Sequence, residues 1–307
     1  MIGIIILNYV TWDETARCIE SIFIKEKKSK YHIYLVDNAS KVDAPQKIKN
    51  LLKDTRVTLI ENKENNGYSA GNNVGIKQAM HDGCNEILIS NNDIIFTQNS
   101  IYEMKKYLDA NKNVGIVGPK IFLPNGDIQM INMGVKTGLK EKYKYLLRKT
   151  IFAPLVKGFL REFCATDKDL TKPFEVHSVS GCCFMMSEEC AKAITPFDER
   201  TFLYQEELII GVMMERKGYK TIYLPASEIT HAHGQSTKHI KAFSYTCLVS
   251  SELYYFKRYI NASIFVLTPL YIFRTLKYLF YAIKYNDFKK NTRNYFKETL
   301  NTLVLKN

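Results

Sequence analysis

The sequence of 307 residues carries 43 Lys plus Arg against 31 Asp plus Glu, which gives a formal net charge of +12, and 46% of its residues are apolar. This composition excludes a disordered chain and a small disulfide-stapled protein, so we expect one large globular domain or two small ones. The seven cysteines are odd in number and form no C-x-x-C pair. They favour a reduced, cytoplasmic protein over a disulfide framework or a zinc ribbon.

The first ten residues are apolar but lack the basic start of a signal peptide, so we expect no such leader. Apolar β-rich runs then alternate with helical patterns. Strands are predicted at residues 2–7, 32–36, 57–60 and 86–90, and helices at residues 15–27, 46–53 and 70–81. This rhythm indicates βαβ units around a parallel sheet, in which ligands bind beyond the carboxyl ends of the strands.

Residues 136–161 depart from this rhythm, with eight basic residues and one acidic residue, and are predicted to leave the sheet. Regular patterning resumes over residues 174–186. A helix is predicted over residues 206–217, because Gly218 supplies a stop, and a strand over residues 219–224. Beyond residue 238 the pattern is that of long amphipathic helix. Its longest uncharged stretch, residues 259–273, is shorter than the roughly 20 residues that span a bilayer.

The last 68 residues hold eleven basic and three acidic residues, and 16 of the 38 aromatic residues of the chain. Basic and aromatic enrichment together indicates a surface for anionic lipid or for nucleic acid.

Polar residues follow four of the predicted strands, at residues 8–9, 37–38, 61–62 and 91–93. Asp37 can accept hydrogen bonds from a nucleotide base or from ribose, or it can cap a turn. Asn91, Asn92 and Asp93 can hold a divalent cation through a nucleotide diphosphate, or they can form an ordinary turn.

The glycines at 67, 71 and 75 have a four-residue spacing, which matches neither G-x-G-x-x-G nor the phosphate loop. This disfavours a nicotinamide dehydrogenase. A binding loop and a close helix–sheet packing face both remain open for this segment.

Glu206 and Glu207 open a predicted helix, where one of them can act as a general base or both can simply favour the helix dipole. His231 and His233 alternate along a strand, so both can reach one ligand, or both can be structural.

The order of these segments resembles that of the inverting GT-A glycosyltransferases of family 2, particularly the rhamnosyltransferase-like members of capsule and O-antigen polysaccharide assembly. The resemblance covers about residues 1 to 240. The segments that carry it are residues 4–9 (IIILNY), 36–40 (VDNAS), 66–75 (NGYSAGNNVG), 91–93 (NND), 117–120 (VGPK), 179–183 (VSGCC), 197–199 (FDE), 204–207 (YQEE) and 218–219 (GY), with His231 and Ser236.

The resemblance implies an α/β fold, the GT-A nucleotide-diphospho-sugar transferase fold, with a Rossmann-like mixed sheet flanked by helices and a C-terminal amphipathic helical segment. It places a catalytic domain at residues 1–239, with a nucleotide-binding half (1–93) and an acceptor-side half (94–239). A basic aromatic helical tail occupies residues 240–307.

The resemblance also implies roles for single residues. Glu207 is the catalytic base with Glu206 beside it, and Asp93 and His231 hold Mn²⁺ or Mg²⁺. The residues implied to bind the nucleotide sugar are Asn8, Tyr9, Asp37, Asn38, Asn66, Gly67, Asn73, Asn91 and Asn92. The chain departs from the family where Glu-Asp-x-Asp-Leu is replaced by Glu206-Glu207-Leu208-Ile209-Ile210, and where Asn91 replaces a more acidic residue.

The function implied is inverting transfer of a sugar from a UDP- or dTDP-sugar to a hydroxyl of a saccharide acceptor, carried on a polyprenyl lipid. A nucleotide-sugar-binding protein with little or no transfer activity is the alternative. A nucleic-acid-binding protein is disfavoured, because no recognisable motif for one is present.

We therefore interpret the tail as a peripheral anchor on the anionic inner face of the cell membrane. The alternative is that it packs on the catalytic domain or on a second subunit of a homodimer. The aromatic residues predicted for the headgroup boundary are Tyr254, Tyr255, Phe256, Phe265, Tyr271, Phe273, Tyr278, Phe280 and Tyr281. The basic residues predicted for anionic lipid are Lys257, Arg258, Arg274, Lys277, Lys284, Lys289 and Lys290.

Overall fold

The computed structural model describes residues 1–131, 133–232 and 241–304. The strands are β1 (Ile2–Asn8), β2 (Tyr31–Asp37), β3 (Val57–Glu61), β4 (Glu86–Asn91), β5 (Ile94–Phe96), β6 (Val114–Phe122), β7 (Phe174–Val176), β8 (Cys183–Met186) and β9 (Lys220–His231). The helices are α1 (Trp12–Lys25), α2 (Gln46–Leu51), α3 (Gly67–His81), α4 (Ser100–Ala110), α5 (Leu139–Leu147), α6 (Lys157–Phe163), α7 (Glu188–Ile194), α8 (Glu206–Lys217), α9 (Ala242–Arg258), α10 (Ile264–Lys284) and α11 (Asn286–Val304).

All nine of these strands join one mixed sheet, in the order β3-β2-β1-β4-β8-β6-β9-β5, with β7 paired to β9. The first half is parallel, as predicted: β1 lies between β2 and β4, and β3 pairs with β2. The second half is mixed, because β8 runs antiparallel to both β4 and β6. The register sets Asn8 opposite Asp37 and Leu7 opposite Asn91, so the polar ends of three strands meet at one edge.

The isoleucines of β1 explain why this strand lies inside the sheet. Side chains alternate between the two faces of a strand, and Ile4 and Ile6 join the core on the α1 side while Ile5 joins the core on the α3 side. A Cβ at Gly75 of α3 would lie 2.5 Å from the Ile5 side chain. The glycine at 75 therefore serves close packing of helix on sheet, one of the two readings that the sequence left open.

Several element boundaries differ from prediction. Helix α3 begins at Gly67, three residues before the predicted start. Helix α8 has the predicted bounds and ends at Gly218, whose φ of 75° is left-handed. Strand β9 continues to His231, beyond the predicted strand. The basic segment does leave the sheet, as α5, a short 3-10 helix (Ala153–Val156) and α6.

The C-terminal helices share a hydrophobic core with helix α8. Ile209 and Val212 of α8 are buried in the same cluster as Tyr245 and Val249 of α9. Ile209 stands where the family pattern has an acidic residue, and its burial by the tail supplies a physical reason for the apolar side chain. The predicted boundary between residues 239 and 240 lies outside the described residues, and the division into two domains stays a prediction.

The interpretation of the tail as a lipid-facing surface is wrong for five of the nine aromatic residues predicted for the headgroup boundary. Tyr254, Tyr255, Phe256, Tyr271 and Tyr278 are buried in the core that the tail forms with α8. The Tyr278 ring stacks on that of Tyr295, with 3.9 Å between centroids. Amphipathic spacing shows that a helix has an apolar face but not what covers it. Phe265, Phe273 and Phe280 are exposed, and no helix among the described residues is long and apolar enough to cross a membrane.

A buried ion cluster joins α5, α9 and α10. The Glu252 carboxylate accepts two hydrogen bonds from Arg274, at 2.7 and 2.9 Å, and lies 2.5 Å from Lys142 Nζ. Burial alone would raise the pKa of Glu252, but Lys142 and Arg274 hold this pKa below its usual value. Arg274 is buried as well, and so is Lys257, whose Nζ donates to Leu303 O at 2.9 Å, so the predicted contact of these two residues with anionic lipid is wrong.

Replacing Glu252 by Gln leaves a buried guanidinium and a buried ammonium group without their counter-charge. We expect Glu252→Gln to lower the free energy of unfolding, measured by urea titration, by about 3–5 kcal/mol. The matched control is Glu215→Gln, which removes the half-exposed partner of Lys136 and should cost about 1 kcal/mol or less. Equal, small losses in the two variants would contradict the importance of the buried cluster.

Candidate active site

The carboxyl end of β2 carries a buried carboxylate whose position is set by its neighbours. Asp37 Oδ1 accepts from Asn8 Nδ2 at 2.8 Å and from Ser40 Oγ at 2.5 Å, and Oδ2 accepts from Ser40 N at 3.0 Å. Thr15 Oγ1 donates to Asn8 Oδ1 at 2.9 Å, which orients the amide. Asp37 does cap a turn, and its role in nucleotide binding stays a prediction.

A second polar cluster links the ends of β2 and β3 with the start of α3. Asn38 Nδ2 donates to Asn65 Oδ1 at 2.8 Å and to Gly67 O at 3.2 Å, and Asn62 Nδ2 donates to Asn38 Oδ1 at 3.1 Å. Asn66 lies at the N-terminus of α3. Gly67 has a φ of 91°, and a Cβ there would meet the Phe202 backbone. This turn therefore requires glycine, and it brings the nucleotide-side residues against the segment that leads into α8.

Tyr9 and Asn73 lie in different surroundings. Tyr9 is exposed at the end of β1. Asn73 is buried, where Nδ2 donates to Phe197 O at 2.9 Å and Oδ1 accepts from Phe197 N at 2.8 Å. Asn73 thus holds the segment that follows α7, and a direct contact with donor stays a prediction for this residue.

Just beyond the end of β4, the Asn92 side chain makes hydrogen bonds to residues at the end of β1 and in the first turn of α1. Its Nδ2 lies 2.8 Å from Thr15 Oγ1 and 3.2 Å from Asn8 Oδ1. Asn91 is half-buried, and its backbone N–H donates to Cys182 O at 2.8 Å. Asn92 therefore connects the Asp37 cluster with the acidic end of β4.

Asp93 and His231 come together across the sheet, because β5 pairs with the end of β9. His231 Nε2 lies 3.3 Å from Asp93 Oδ1, and Nδ1 lies 3.2 Å from Gln129 Oε1. Burial alone would lower the pKa of His231, but Asp93 and Cys182 raise it to about 10. His233 and Ser236 lie outside the described residues.

The Asp93 carboxylate fits a cation ligand. Its Oδ1 atom is buried, and no described residue makes a hydrogen bond of good geometry to it. Across residues 1–131, 133–232 and 241–304 no group of three His, Cys, Asp or Glu residues is placed to hold a metal. Asp93, together with His231 once a cation displaces its proton, therefore offers two ligands, which suits an ion that takes its remaining ligands from phosphate and water.

Helix α8 begins from a strained turn. Tyr204 and Gln205 have φ values of 72° and 70°, which is unusual for residues other than glycine. Beyond this turn, Ser178 Oγ donates to Glu207 O at 2.6 Å, and Gly181 N donates to Glu207 Oε1 at 3.3 Å. The turn and the loop before β8 together fix the start of α8 and its second carboxylate.

The adjacent carboxylates of Glu206 and Glu207 bind protons more strongly than usual. Burial raises the pKa of both, and the charge of Glu207 raises that of Glu206 further. Hydrogen bonds from backbone N–H groups, including that of Gly181, partly offset the rise for Glu207. No described residue hydrogen-bonds the buried Glu206 Oε2. A raised pKa suits a general base that works near neutral pH.

Glu207 lines two neighbouring cavities. One has a volume of about 210 Å³ and is lined on its polar side by Gln129, Ser178, Ser180 and Tyr223. The other has a volume of about 220 Å³ and includes Lys142, Tyr145, Tyr204 and Leu248. The sequence indicated no role for most of these lining residues, because the basic segment and the tail reach the site only through the tertiary fold.

Tyr68 connects the nucleotide side of the site with Glu207. Its hydroxyl donates to Gly181 O at 2.5 Å, and the same Gly181 donates its N–H to Glu207. Tyr68 lies within one of the segments that carry the family resemblance, but sequence reasoning assigned it no role.

The chain matches a known protein family and is similar to other known proteins. The family model described as "Glycosyl transferase family 2" matches residues 3–195. The chain is similar to the N-acetylglucosaminyl-diphospho-decaprenol L-rhamnosyltransferase of Mycobacterium tuberculosis, with 24% identity over 217 residues, which is 67% of each protein.

Two solved structures share the fold. One is the crystal structure of GalNAc-T7 with UDP, GalNAc and Mn²⁺, with a TM-score of 0.60 and 15% identity over 84% of this chain and 49% of that chain. The other is the mannosyltransferase PcManGT from Pyrobaculum calidifontis in complex with GDP-Man and Mn²⁺, with a TM-score of 0.55 and 14% identity over 85% of this chain and 64% of that chain. The chain thus spans from half to two thirds of these structures, and the predicted fold class is confirmed.

Replacing Tyr68 by Phe leaves the buried Gly181 carbonyl without its donor. We expect Tyr68→Phe to lower the free energy of unfolding by about 1–3 kcal/mol, measured by urea titration. Tyr9→Phe, which alters an exposed hydroxyl on the same side of the sheet, is the control and should leave stability unchanged. A Tyr68→Phe variant with an unchanged free energy of unfolding would show that this hydrogen bond does not stabilise the site.

Proposed function

Because this chain belongs to glycosyl transferase family 2, we propose that it moves a sugar from a UDP- or dTDP-sugar to a hydroxyl of a saccharide acceptor by inverting single displacement. The observation that carries the proposal is the position of Glu207, a carboxylate of raised pKa that lines two cavities and is hydrogen-bonded to the loop held by Tyr68.

The donor nucleotide binds at the ends of β1, β2 and β3. Asp37 Oδ2 accepts one hydrogen bond within the described residues, and a carboxylate oxygen can accept two. This oxygen therefore has capacity for an N–H of uracil or thymine, or for a ribose hydroxyl. The proposed nucleotide site also includes the exposed ring of Tyr9 and the polar turn formed by Asn38, Asn66 and Gly67. Asn73 supports this site indirectly, through its hydrogen bonds to the Phe197 backbone.

Asp93 and His231 hold Mn²⁺ or Mg²⁺ in this proposal, with Asn91 and Asn92 at the same strand end. When bound, such an ion neutralises charge on the leaving diphosphate. The buried Asp93 Oδ1 supports the assignment, since it has no well-formed hydrogen bond from the described chain. The two solved structures that share the fold are also complexes with Mn²⁺.

Glu207 takes the proton of the acceptor hydroxyl while that oxygen attacks the anomeric carbon. The bond from this carbon to the diphosphate oxygen breaks, and attack from the opposite side inverts the carbon. Gly181 makes room for the side chain that is one methylene longer than the Asp of the family, because a Cβ at this position would lie 3.0 Å from Glu207 Oε1. Glu206 lies beside Glu207, and the charge of Glu207 raises the pKa of Glu206.

The acceptor in this proposal is a saccharide on a polyprenyl lipid, and the enzyme works in capsule or O-antigen assembly at the cytoplasmic face of the membrane. Support comes from the mycobacterial relative, which is named as an L-rhamnosyltransferase for an N-acetylglucosaminyl-diphospho-decaprenol. A nucleotide-sugar-binding protein is the second candidate, and the loss of the second acidic residue to the buried Ile209 favours it.

A panel of UDP- and dTDP-sugars separates these two candidates. We expect slow release of nucleoside diphosphate from one of the donors with Mn²⁺ or Mg²⁺, and loss of this release on addition of a chelator. Donors of another base, such as GDP-mannose, serve as the control. Tight binding of a donor without release under any condition would support the second candidate, a nucleotide-sugar-binding protein. Release that is unaffected by chelator would contradict the proposed role of a metal ion.

Replacing Glu207 by Gln removes the general base while it keeps the shape of the side chain. With donor and acceptor both saturating, we expect Glu207→Gln to lower the rate of transfer by at least about a hundredfold. Glu207→Asp restores the family residue and should retain much more of the activity. Donor affinity, measured by calorimetry, should stay unchanged in both variants.

The pH profile gives an independent check on the same residue. The pKa of Glu207 is raised, so the carboxylate is protonated and inactive at low pH, and transfer increases as the pH rises through this raised pKa. The acidic limb should be absent from the residual activity of Glu207→Gln. Near-normal turnover in this variant would show that Glu207 is not the base.

A further inference from the structure

Helix α10 has apolar side chains on two opposite faces. Leu267, Leu270 and Tyr278 point into the core shared with α9 and α11. On the other side, Phe265 is 85% exposed and Ile283 is 88% exposed. A helix that is apolar all round is normally covered on all sides. The outer face of α10 therefore lacks a cover within the described chain.

Apart from Ile264 and Val266 in the first turn of α10, the exposed apolar residues of this helix form one continuous stripe. At 3.6 residues per turn, they fall within a sector of about 120° that runs the length of the helix. The members of this outer stripe are Phe265, Pro269, Ile272, Phe273, Leu276, Leu279, Phe280 and Ile283. Contiguous exposed apolar surface of this kind marks a contact with a membrane or with another protein.

The charges beside the outer stripe favour an anionic partner. Lys277 and Lys284 lie along one edge of it and are exposed, and the sequence has no acidic residue between Glu252 and Asp287. Two copies of this face would bring their lysines together, which disfavours self-association. An anionic bilayer offers both the apolar interior and the opposite charge.

A second exposed apolar site lies in the basic segment. Ile151 and Leu155 are 88% and 80% exposed, in and beside the 3-10 helix that follows α5. Helix α5 in turn contacts the start of α10, where Tyr143 OH donates to Val266 O at 3.0 Å. The second apolar site thus follows α5, a helix that touches α10.

We propose that the outer stripe of α10 is a membrane-binding surface that lies along an anionic bilayer, with Ile151 and Leu155 as a second point of insertion. No described helix is long and apolar enough to cross a membrane, and an amphipathic helix in the bilayer plane needs only its outer face in the acyl boundary. The proposal deepens the proposed function, because it names the residues that would bring the enzyme to a lipid-linked acceptor.

Helix α10 is linked to the candidate active site through its inner face. The cavity that holds Glu207, Lys142 and Tyr145 is lined by α5, α8 and α9, and Lys142 is joined to α10 through Glu252 and the buried Arg274. Helices α5 and α9, which contact α10, thus form part of the wall of the cavity at Glu207.

Flotation of the full-length chain with lipid vesicles tests the surface. We expect binding to vesicles of phosphatidylglycerol and phosphatidylcholine, and weaker binding to phosphatidylcholine alone. Phe265→Gln, Phe280→Gln and Ile283→Gln combined should lower the vesicle affinity at least about tenfold, because three large apolar groups no longer leave water. The matched control combines Ile24→Gln and Val42→Gln, which alter exposed apolar residues of the nucleotide side, and should bind like the unaltered chain.

A charge variant tests the same surface without changing its apolar residues. Lys277→Glu with Lys284→Glu should weaken binding to the anionic vesicles by about fivefold or more for each lysine. The melting temperature and the release of nucleoside diphosphate from donor should stay unchanged in all variants. Vesicle binding requires no donor, so failure of the proposed reaction would leave this test intact.

Two results would overturn the proposal. One is that the unaltered chain does not float with anionic vesicles. The other is that light scattering shows a dimer which the triple glutamine variant converts to a monomer, while vesicle binding is unchanged. In that case a second copy of the chain covers the outer stripe.

Discussion

The parallel register of β1 with β2 and β4 is the constraint on which the rest of the site depends. It sets Asn8 beside Asp37, and Leu7 beside Asn91, so that strand ends far apart in the chain meet at one edge. The hydrogen bonds that converge on Asn8 then lock these ends together. A shift of one residue would turn these polar groups toward the opposite face of the sheet and exchange the isoleucines between the two cores that they fill. The same apolar pattern that stabilises the sheet therefore also positions the polar side chains at the strand ends.

The other half of the site is built by contacts that no short motif contains. Tyr68 and Glu207 are joined through the backbone of Gly181, which accepts from one and donates to the other. Asp93 meets His231 because β5 pairs antiparallel with β9. Burial then raises the pKa of Glu207, and Asp93 and Cys182 raise that of His231 despite burial. The reactivity of these residues is thus a property of their surroundings rather than of their identity.

The C-terminal tail connects the candidate active site with the surface proposed to bind a membrane. Its helices bury the apolar side of α8 and place Ile209 in a core, next to the carboxylate proposed as the base. The buried Glu252 cluster ties α10 to α5, which carries part of the wall of the cavity at Glu207. The charge excess of the last 68 residues is accordingly divided: Arg274 serves the interior, whereas Lys277 and Lys284 remain at the surface beside the outer stripe.

The sequence by itself determined the parallel half of the sheet, the bounds of α8 and the family, because continuous apolar runs, glycine stops and the order of motifs are local signals. It also brought Asp37, Asp93, Glu207 and His231 to attention. Only the tertiary structure decided that Asn73 holds the 197–199 segment, that Gly181 faces Glu207, and which tail aromatics are buried. Those outcomes depend on which surfaces pack against each other, and periodicity records that a helix has an apolar face without recording what covers it.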